Sequence, residues 1–240
     1  VLELDSSVRT SYENVPGTQA FIQEISVIGN DLYAFTSLQD RCNSHGLVLR
    51  SNGAVCNTSN ISFGAGTEIS AQCTDGVDLY YFVMQQSTHM FQLYKKPLGG
   101  SSGLVTQFLY NPATVYGIRH MLYDKGKLYW LIMGVQYSLQ SLDVHTLAVQ
   151  TVFVRPPEFY YDKIIKYRGA ISVLGGYKAA WPERHIVNTN QQMVWQVTQQ
   201  DNKGVMFVDS SGIYTMTADM SSSDIQEIGH YSNTGQYKKM

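Results

Sequence analysis

Asp31-Leu32-Tyr33-Ala34-Phe35, Asp78-Leu79-Tyr80-Tyr81-Phe82 and Lys127-Leu128-Tyr129-Trp130-Leu131 are three copies of one short apolar and aromatic segment, each entered from a polar turn. Their length and residue types read as strands. Weaker copies follow at Ala170-Ile171-Ser172-Val173-Leu174 and Gly204-Val205-Met206-Phe207-Val208, so the first residues are spaced by 47, 49, 43 and 34 positions. Working outward, each strong copy is preceded by another strand and a tight turn. Examples are Ile25-Ser26-Val27-Ile28-Gly29-Asn30 and Met121-Leu122-Tyr123-Asp124-Lys125-Gly126, where Asn, Asp and Gly tolerate the positive φ of hairpins. A third strand follows, as in Met90-Phe91-Gln92-Leu93-Tyr94 or Tyr137 to Asp143, and then a fourth, as in Leu104 to Leu109 or Ala148 to Phe153.

A unit of four antiparallel strands recurring about every 45 residues is the period of a propeller blade. One such sheet cannot bury both of its faces alone, so neighbouring sheets must pack face to face. The expected fold is therefore all-β, a β-propeller of about five four-stranded antiparallel blades; six blades with one degenerate, or a large β-sandwich, are the alternatives. The final unit reads as three strands, Gly204–Asp209, Gly212–Thr217 and Asp224–His230, with Val1-Leu2-Glu3-Leu4 expected to complete it. No stretch with helical periodicity separates the strands, which argues against parallel β-α-β units.

The strand and its hairpin resemble the blade pattern of extracellular propellers, the YWTD and tachylectin-like groups among them. The sequence lacks the YWTD tetrapeptide, the kelch and WD40 signatures and the near-identical repeats of tachylectin-like lectins, so no family's ligand residues carry over. A five-bladed propeller also resembles furanosidases that place three carboxylates around a central funnel. That likeness implies a glycosidase alternative in which Asp31, Asp78 and one of Asp124, Asp162 or Glu183 converge. Asp residues at strand starts are also ordinary turn formers.

The 240 residues fit a single domain over 1–240. Charged residues are 15% of the chain while Tyr supplies 17 positions, which suits sheets covered by aromatics rather than ion pairs. A net charge of −2 with scattered Lys and Arg excludes a nucleic-acid footprint. No apolar run approaches the roughly 20 residues of a membrane span. The chain begins at Val1 without a signal-peptide pattern and is expected to be a mature or excised fragment. Two consecutive sequons at Asn57 and Asn60 point to a secreted glycoprotein. Cys42, Cys56 and Cys73 lack zinc spacing and leave open a Cys42–Cys56 disulfide, a Cys56–Cys73 staple, or three buried thiols.

His45, His89, His120, His145, His185 and His230 are dispersed, so neither a metal nor any other cofactor is indicated. Gly99-Gly100-Ser101-Ser102-Gly103 lacks the following Lys of a phosphate loop. Two aromatic stretches stand out as connectors: Arg155-Pro156-Pro157-Glu158-Phe159-Tyr160-Tyr161-Asp162, and Gly175 to His185 with Tyr177, Trp181 and Arg184. Exposed Tyr, Trp and Arg anchor binding surfaces, so Tyr160, Tyr161, Tyr177, Trp181 and Arg184 are the expected ligand-binding residues; the alternative is that their rings fill gaps between blades. The function expected from sequence is an extracellular, non-catalytic recognition module for a protein or glycan partner. The glycoside hydrolase and a structural subunit of a larger assembly are the alternatives.

Overall fold

The computed structural model describes the backbone of residues 21–28, 31–37, 44–50, 55–59, 67–97, 100–177, 184–197, 203–208, 212–218, 225–234 and 236–240. Within these it describes the side chains of 67, 69–97, 100–176, 184–196, 208, 212–215, 227–234 and 236–240. The described strands form five four-stranded sheets. The first holds β1 (Phe21–Ile28), β2 (Asp31–Ser37), β3 (Ser44–Arg50) and β4 (Val55–Ser59); the second β5 (Thr67–Thr74), β6 (Asp78–Gln85), β7 (Met90–Pro97) and β8 (Gly103–Leu109). The third holds β9 (Val115–Asp124), β10 (Lys127–Gly134), β11 (Tyr137–Asp143) and β12 (Val149–Arg155). The fourth holds β13 (Phe159–Tyr167), β14 (Ala170–Tyr177), β15 (Arg184–Asn188) and β16 (Met193–Val197), and the fifth β17 (Lys203–Val208), β18 (Gly212–Ala218), β19 (Ile225–Ser232) and β20 (Tyr237–Lys239).

Every sheet is a meander in chain order, and no sheet closes on itself. The second strand of each sheet begins at 31, 78, 127, 170 and 212, spacings of 47, 49, 43 and 42. The fifth copy of the sequence repeat is therefore Gly212–Ala218 and not the segment at Gly204, which is the first strand of its sheet. The structural period is more even than the sequence period. The fifth sheet is completed by β20, which pairs Tyr237 with Tyr231 and Lys239 with Gly229. The expected closing strand, Val1 to Leu4, lies outside the described residues.

Burial explains why the second strands dominate the sequence pattern. In β6, Leu79 to Met84 are all buried, and in β10 so are Leu128, Trp130, Leu131 and Ile132, so both faces of these second strands are covered. The fourth strands β8 and β12 are exposed or half-buried at every position but Phe153, and their Thr and Gln residues suit an outer edge.

Two devices recur from sheet to sheet. The first strand carries one extra residue opposite the second at Gln23, Ser70, Asp162 and Met206, a β-bulge that bends the strand. The turn from third to fourth strand is held by a short polar side chain at the end of the third. Asp143 Oδ1 accepts from the N–H groups of His145 and Thr146 at 3.0 and 2.9 Å. Asn188 Oδ1 accepts from Asn190 and Gln192 at 3.0 and 2.9 Å, and Ser232 Oγ from Gln236 at 3.1 Å. Leu147 and Gln191 take the positive φ these turns require, 58° and 63°.

The chain divides into two compact units, 1–128 with 143–148, and 129–142 with 149–240. In the first, Phe82 packs edge-on against Phe91 and Phe108. There the bulge residue Ser70 bridges β5 to β9: its hydroxyl accepts from Ile118 N–H at 3.2 Å and lies 3.4 Å from Ile118 C=O. In the second unit, Tyr167, Leu174, Ile186 and Ile213 form a buried cluster joining the fourth and fifth sheets, with Trp195 and Tyr231 against it. Among the described residues no helix is long and apolar enough to cross a membrane.

Candidate functional site

In the second unit, an aromatic and charged group of side chains gathers at one end of the fourth sheet. Chain direction puts the start of β13, the end of β14 and the start of β15 at that same end, beside the link from β12. The register sets Tyr161 against Gly175, Gly175 against His185, and Tyr160 against Gly176. The Gly175-Gly176 doublet is therefore a strand feature: a methyl at Gly175 would overlap the Tyr160 carbonyl oxygen and the Tyr161 ring. With no side chain between them, Tyr161 and His185 meet across the glycine at 5.9 Å between ring centroids, and Phe159 closes on His185 at 5.8 Å. Tyr137 and Phe153 of the third sheet pack edge-on against Tyr161 from the other side.

The alternate residues carry the charge. Asp162 sits at the bulge, and its Oδ2 accepts from Arg184 Nη1 at 2.6 Å. Arg184 also lies over the Tyr160 ring, 5.3 Å from its centroid. The pair is largely desolvated, with side-chain exposures of 15% for Arg184 and 31% for Asp162, so removing either partner leaves a costly half-buried charge. Burial raises the Tyr160 hydroxyl pKa, opposed by the charge of Arg184 and reinforced by Asp162. Arg155, at the end of β12, lies over the Phe159 ring at 5.2 Å and donates from Nη2 to the Gln191 carbonyl at 2.8 Å. His185 is fully buried and its pKa is pushed down to about 4, chiefly by burial and then by Arg155 and Arg184, so its ring is neutral.

The residues anticipated as ligand anchors are distributed differently from the expectation. Tyr160 and Tyr161 are not on an exposed loop; both are buried in β13, because the strand already begins at Phe159 and their rings complete the packing around it. Arg184 opens β15 and is engaged with Asp162 and Tyr160. Tyr177 ends β14, and Trp181 lies outside the described residues. The expected carboxylates are placed one by one. Asp78 opens β6 and pairs with Lys95 at 2.6 Å, Asp162 is paired with Arg184, Asp124 ends β9, Asp31 opens β2, and Glu183 lies outside the described residues. The turn former near Asp78 is Asp75, whose Oδ1 accepts from Val77 and Asp78 N–H groups at 2.8 and 2.7 Å.

Asn57 and Cys56 fall in β4, Asn60 and Cys42 lie outside the described residues, and Cys73 is buried in β5. Among the described residues no three His, Cys, Asp or Glu side chains come together as a metal site. Sequence reasoning missed Phe159 and His185 as partners of Tyr161; the available signal was a Gly-Gly doublet facing Phe-Tyr-Tyr one hairpin away.

No protein-family model matches the chain, and no curated protein matches it. Solved structures do, and they define the fold as a β-propeller. The propeller domain of the trilobed protease from Pyrococcus furiosus superposes with a TM-score of 0.56 at 10% identity, over 94% of this chain and 72% of that one. Prolyl oligopeptidase B from Galerina marginata superposes with 0.60 at 9% identity, over 92% of this chain and 34% of that one. The acylaminoacyl peptidase of Pyrococcus horikoshii gives 0.57 at 10% identity, over 95% and 40%. The chain thus spans between a third and two fifths of these two peptidases. These neighbours correct the expectation of a non-catalytic recognition module and its glycosidase and structural-subunit alternatives: the three structures named here are a protease's propeller domain and two peptidases.

Proposed function

We propose that the chain is the propeller part of a peptidase, its five sheets serving as five blades of one propeller and the peptide-cleaving groups supplied by another part of the polypeptide or a separate chain. The observation that carries this reading is the coverage: almost the whole of this chain matches 34% and 40% of two peptidases and 72% of a protease's propeller domain. The arrangement of the fourth sheet supports it. Gly175 lets the Tyr161 and His185 rings interlock beside the link Arg155 to Phe159, so the connectors at that end stand on a rigid base. Rigid sheets that hold connectors at one end suit the admission and orientation of peptide segments.

The test uses an antibody raised against this chain to recover it from its source under non-denaturing conditions. The bound fraction is expected to hydrolyse an N-blocked, proline-containing fluorogenic peptide, and the purified 240-residue chain alone is expected to leave it intact. A bound fraction that contains the chain and leaves both proline-containing and N-acetylated peptides uncleaved overturns the proposal.

A further inference from the structure

The two guanidinium groups at this end of the fourth sheet are not equivalent. Arg184 has its counter-ion in Asp162 at 2.6 Å. Arg155 has none among the described residues: its polar contact is the neutral Gln191 carbonyl, and its flat face rests on Phe159. Its Nε is buried and makes no hydrogen bond. Glu158, three positions on, is exposed and forms no ion pair with it. A cation half-removed from water and matched only by a carbonyl and an aromatic face remains electrostatically under-compensated. Two stiff residues, Pro156 and Pro157, and the Phe159 N–H to Pro156 C=O bond of 3.2 Å fix the backbone beside it.

We propose that Arg155 is the anchor of a carboxylate-binding subsite, taking the α-carboxylate or an acidic side chain of a peptide that approaches the link between β12 and β13. This rests on the peptidase reading for its ligand class. Nη1, and the second hydrogen of Nη2, face the carboxylate end-on, the paired geometry a guanidinium offers best. The buried Nε is not part of the contact; the Gln191 bond and the Phe159 face keep the fork from swinging away. His185 reports on the subsite without touching the ligand. An anion at Arg155 offsets part of the positive field acting on its ring, so its pKa rises when the carboxylate binds.

The experiment titrates the purified chain with three peptides of common sequence, Ac-Gly-Ala-Pro with a free carboxylate, its C-terminal amide, and that amide with Glu replacing Ala, following heat by calorimetry and the His185 ring by NMR. The free acid, the Glu-bearing amide or both are expected to bind about 10-fold or more tighter than the plain amide, and whichever binds identifies the source of the carboxylate. Binding is expected to raise the His185 pKa, and Arg155→Met is expected to abolish the preference. Should Arg155→Met fail to fold, Arg155→Lys, which keeps the charge and loses the fork, is expected to retain a weaker preference. Equal binding of all three peptides, no binding of any, or a folded Arg155→Met that keeps the preference, overturns the subsite. Inorganic phosphate competing as well as the acid overturns the assignment to peptide carboxylates. A carboxylate preference without cleavage by the antibody-bound fraction removes only the peptidase reading, and cleavage without the preference removes only the subsite.

Discussion

Gly175→Ala puts the packing of the fourth sheet to its hardest test. The new methyl would lie more than about 1 Å inside van der Waals contact with the Tyr160 carbonyl oxygen and the Tyr161 ring, and only 3.0 Å from the Tyr160 carbonyl carbon. The first obstacle is backbone and does not turn aside; the second is a ring with no exposed surface, held by Tyr137, Phe153, Phe159 and His185. Relief requires β13 and β14 to part at the Tyr161–Gly175 pair beside the bulge. Weakening about two ladder bonds costs about 1 kcal/mol each, and repacking the ring about 1–3 kcal/mol, giving about 3–5 kcal/mol in all. With a urea slope near 3 kcal/mol/M, the unfolding midpoint falls by about 1–1.7 M. Gly103→Ala is the matched control, since a methyl there meets nothing within 4 Å; it is expected to stay within about 0.5 kcal/mol of wild type. A Gly175→Ala midpoint equal to that of Gly103→Ala would refute the interlock of Tyr161 over the glycine.

Three further outcomes follow from the same structure. His185 has its pKa lowered from 6.5 to about 4, so the unfolded chain binds the extra proton first and stability falls on acidification between those values, by up to about 3 kcal/mol; His185→Phe should flatten that part of a stability-against-pH curve, and an unchanged slope would assign it elsewhere. Asp143 has its carboxyl pKa lowered by the backbone N–H groups of Thr146 and His145, so its support of the turn is present above the ordinary carboxylate range and lost as pH falls through the lowered value. Asp143→Ala should speed amide exchange at His145 and Thr146 while Asp143→Asn, which copies Asn188, should not; equal exchange in both variants counts against the turn. Ser70→Ala removes the hydroxyl between β5 and β9, leaving the Ile118 N–H without that acceptor, and is expected to lower stability by about 1–2 kcal/mol in the same urea assay; no change would mean water replaces it.

How much of this was legible in the sequence depends on which strand is considered. Asp78 to Phe82 and Lys127 to Leu131 announce themselves because strands covered on both faces need unbroken apolar runs. Gly212 to Ala218 does the same job in the fifth sheet with Thr215 and Thr217 among its residues, so the apolar signal passed to Gly204 to Val208, the neighbouring strand. Tyr237 to Lys239 is an edge strand of three exposed residues and carries no hydrophobic pattern at all. At the candidate site, aromatic density was visible but its side of the surface was not. Whether Tyr161 faces solvent or a neighbouring sheet depends on where β13 begins and on the residue inserted at Asp162, and neither leaves a periodic mark. Tyr161 and His185 are brought together by the pairing of β13, β14 and β15, which no local motif encodes.

The chain-order meander has a consequence for how this polypeptide tolerates being rearranged. Each strand's bonded neighbours are also its neighbours along the chain, so a cut between sheets severs no ladder. The connector Asn111 to Thr114 between β8 and β9 is such a place: its turn is closed by Thr114 and Val115, which donate to the Asn111 carbonyl at 3.0 and 2.9 Å. New ends opened there would leave both flanking sheets whole. Blade-sized insertions, duplications or losses at these seams change the number of sheets without re-registering any of them, a route by which such chains grow or shrink a unit at a time.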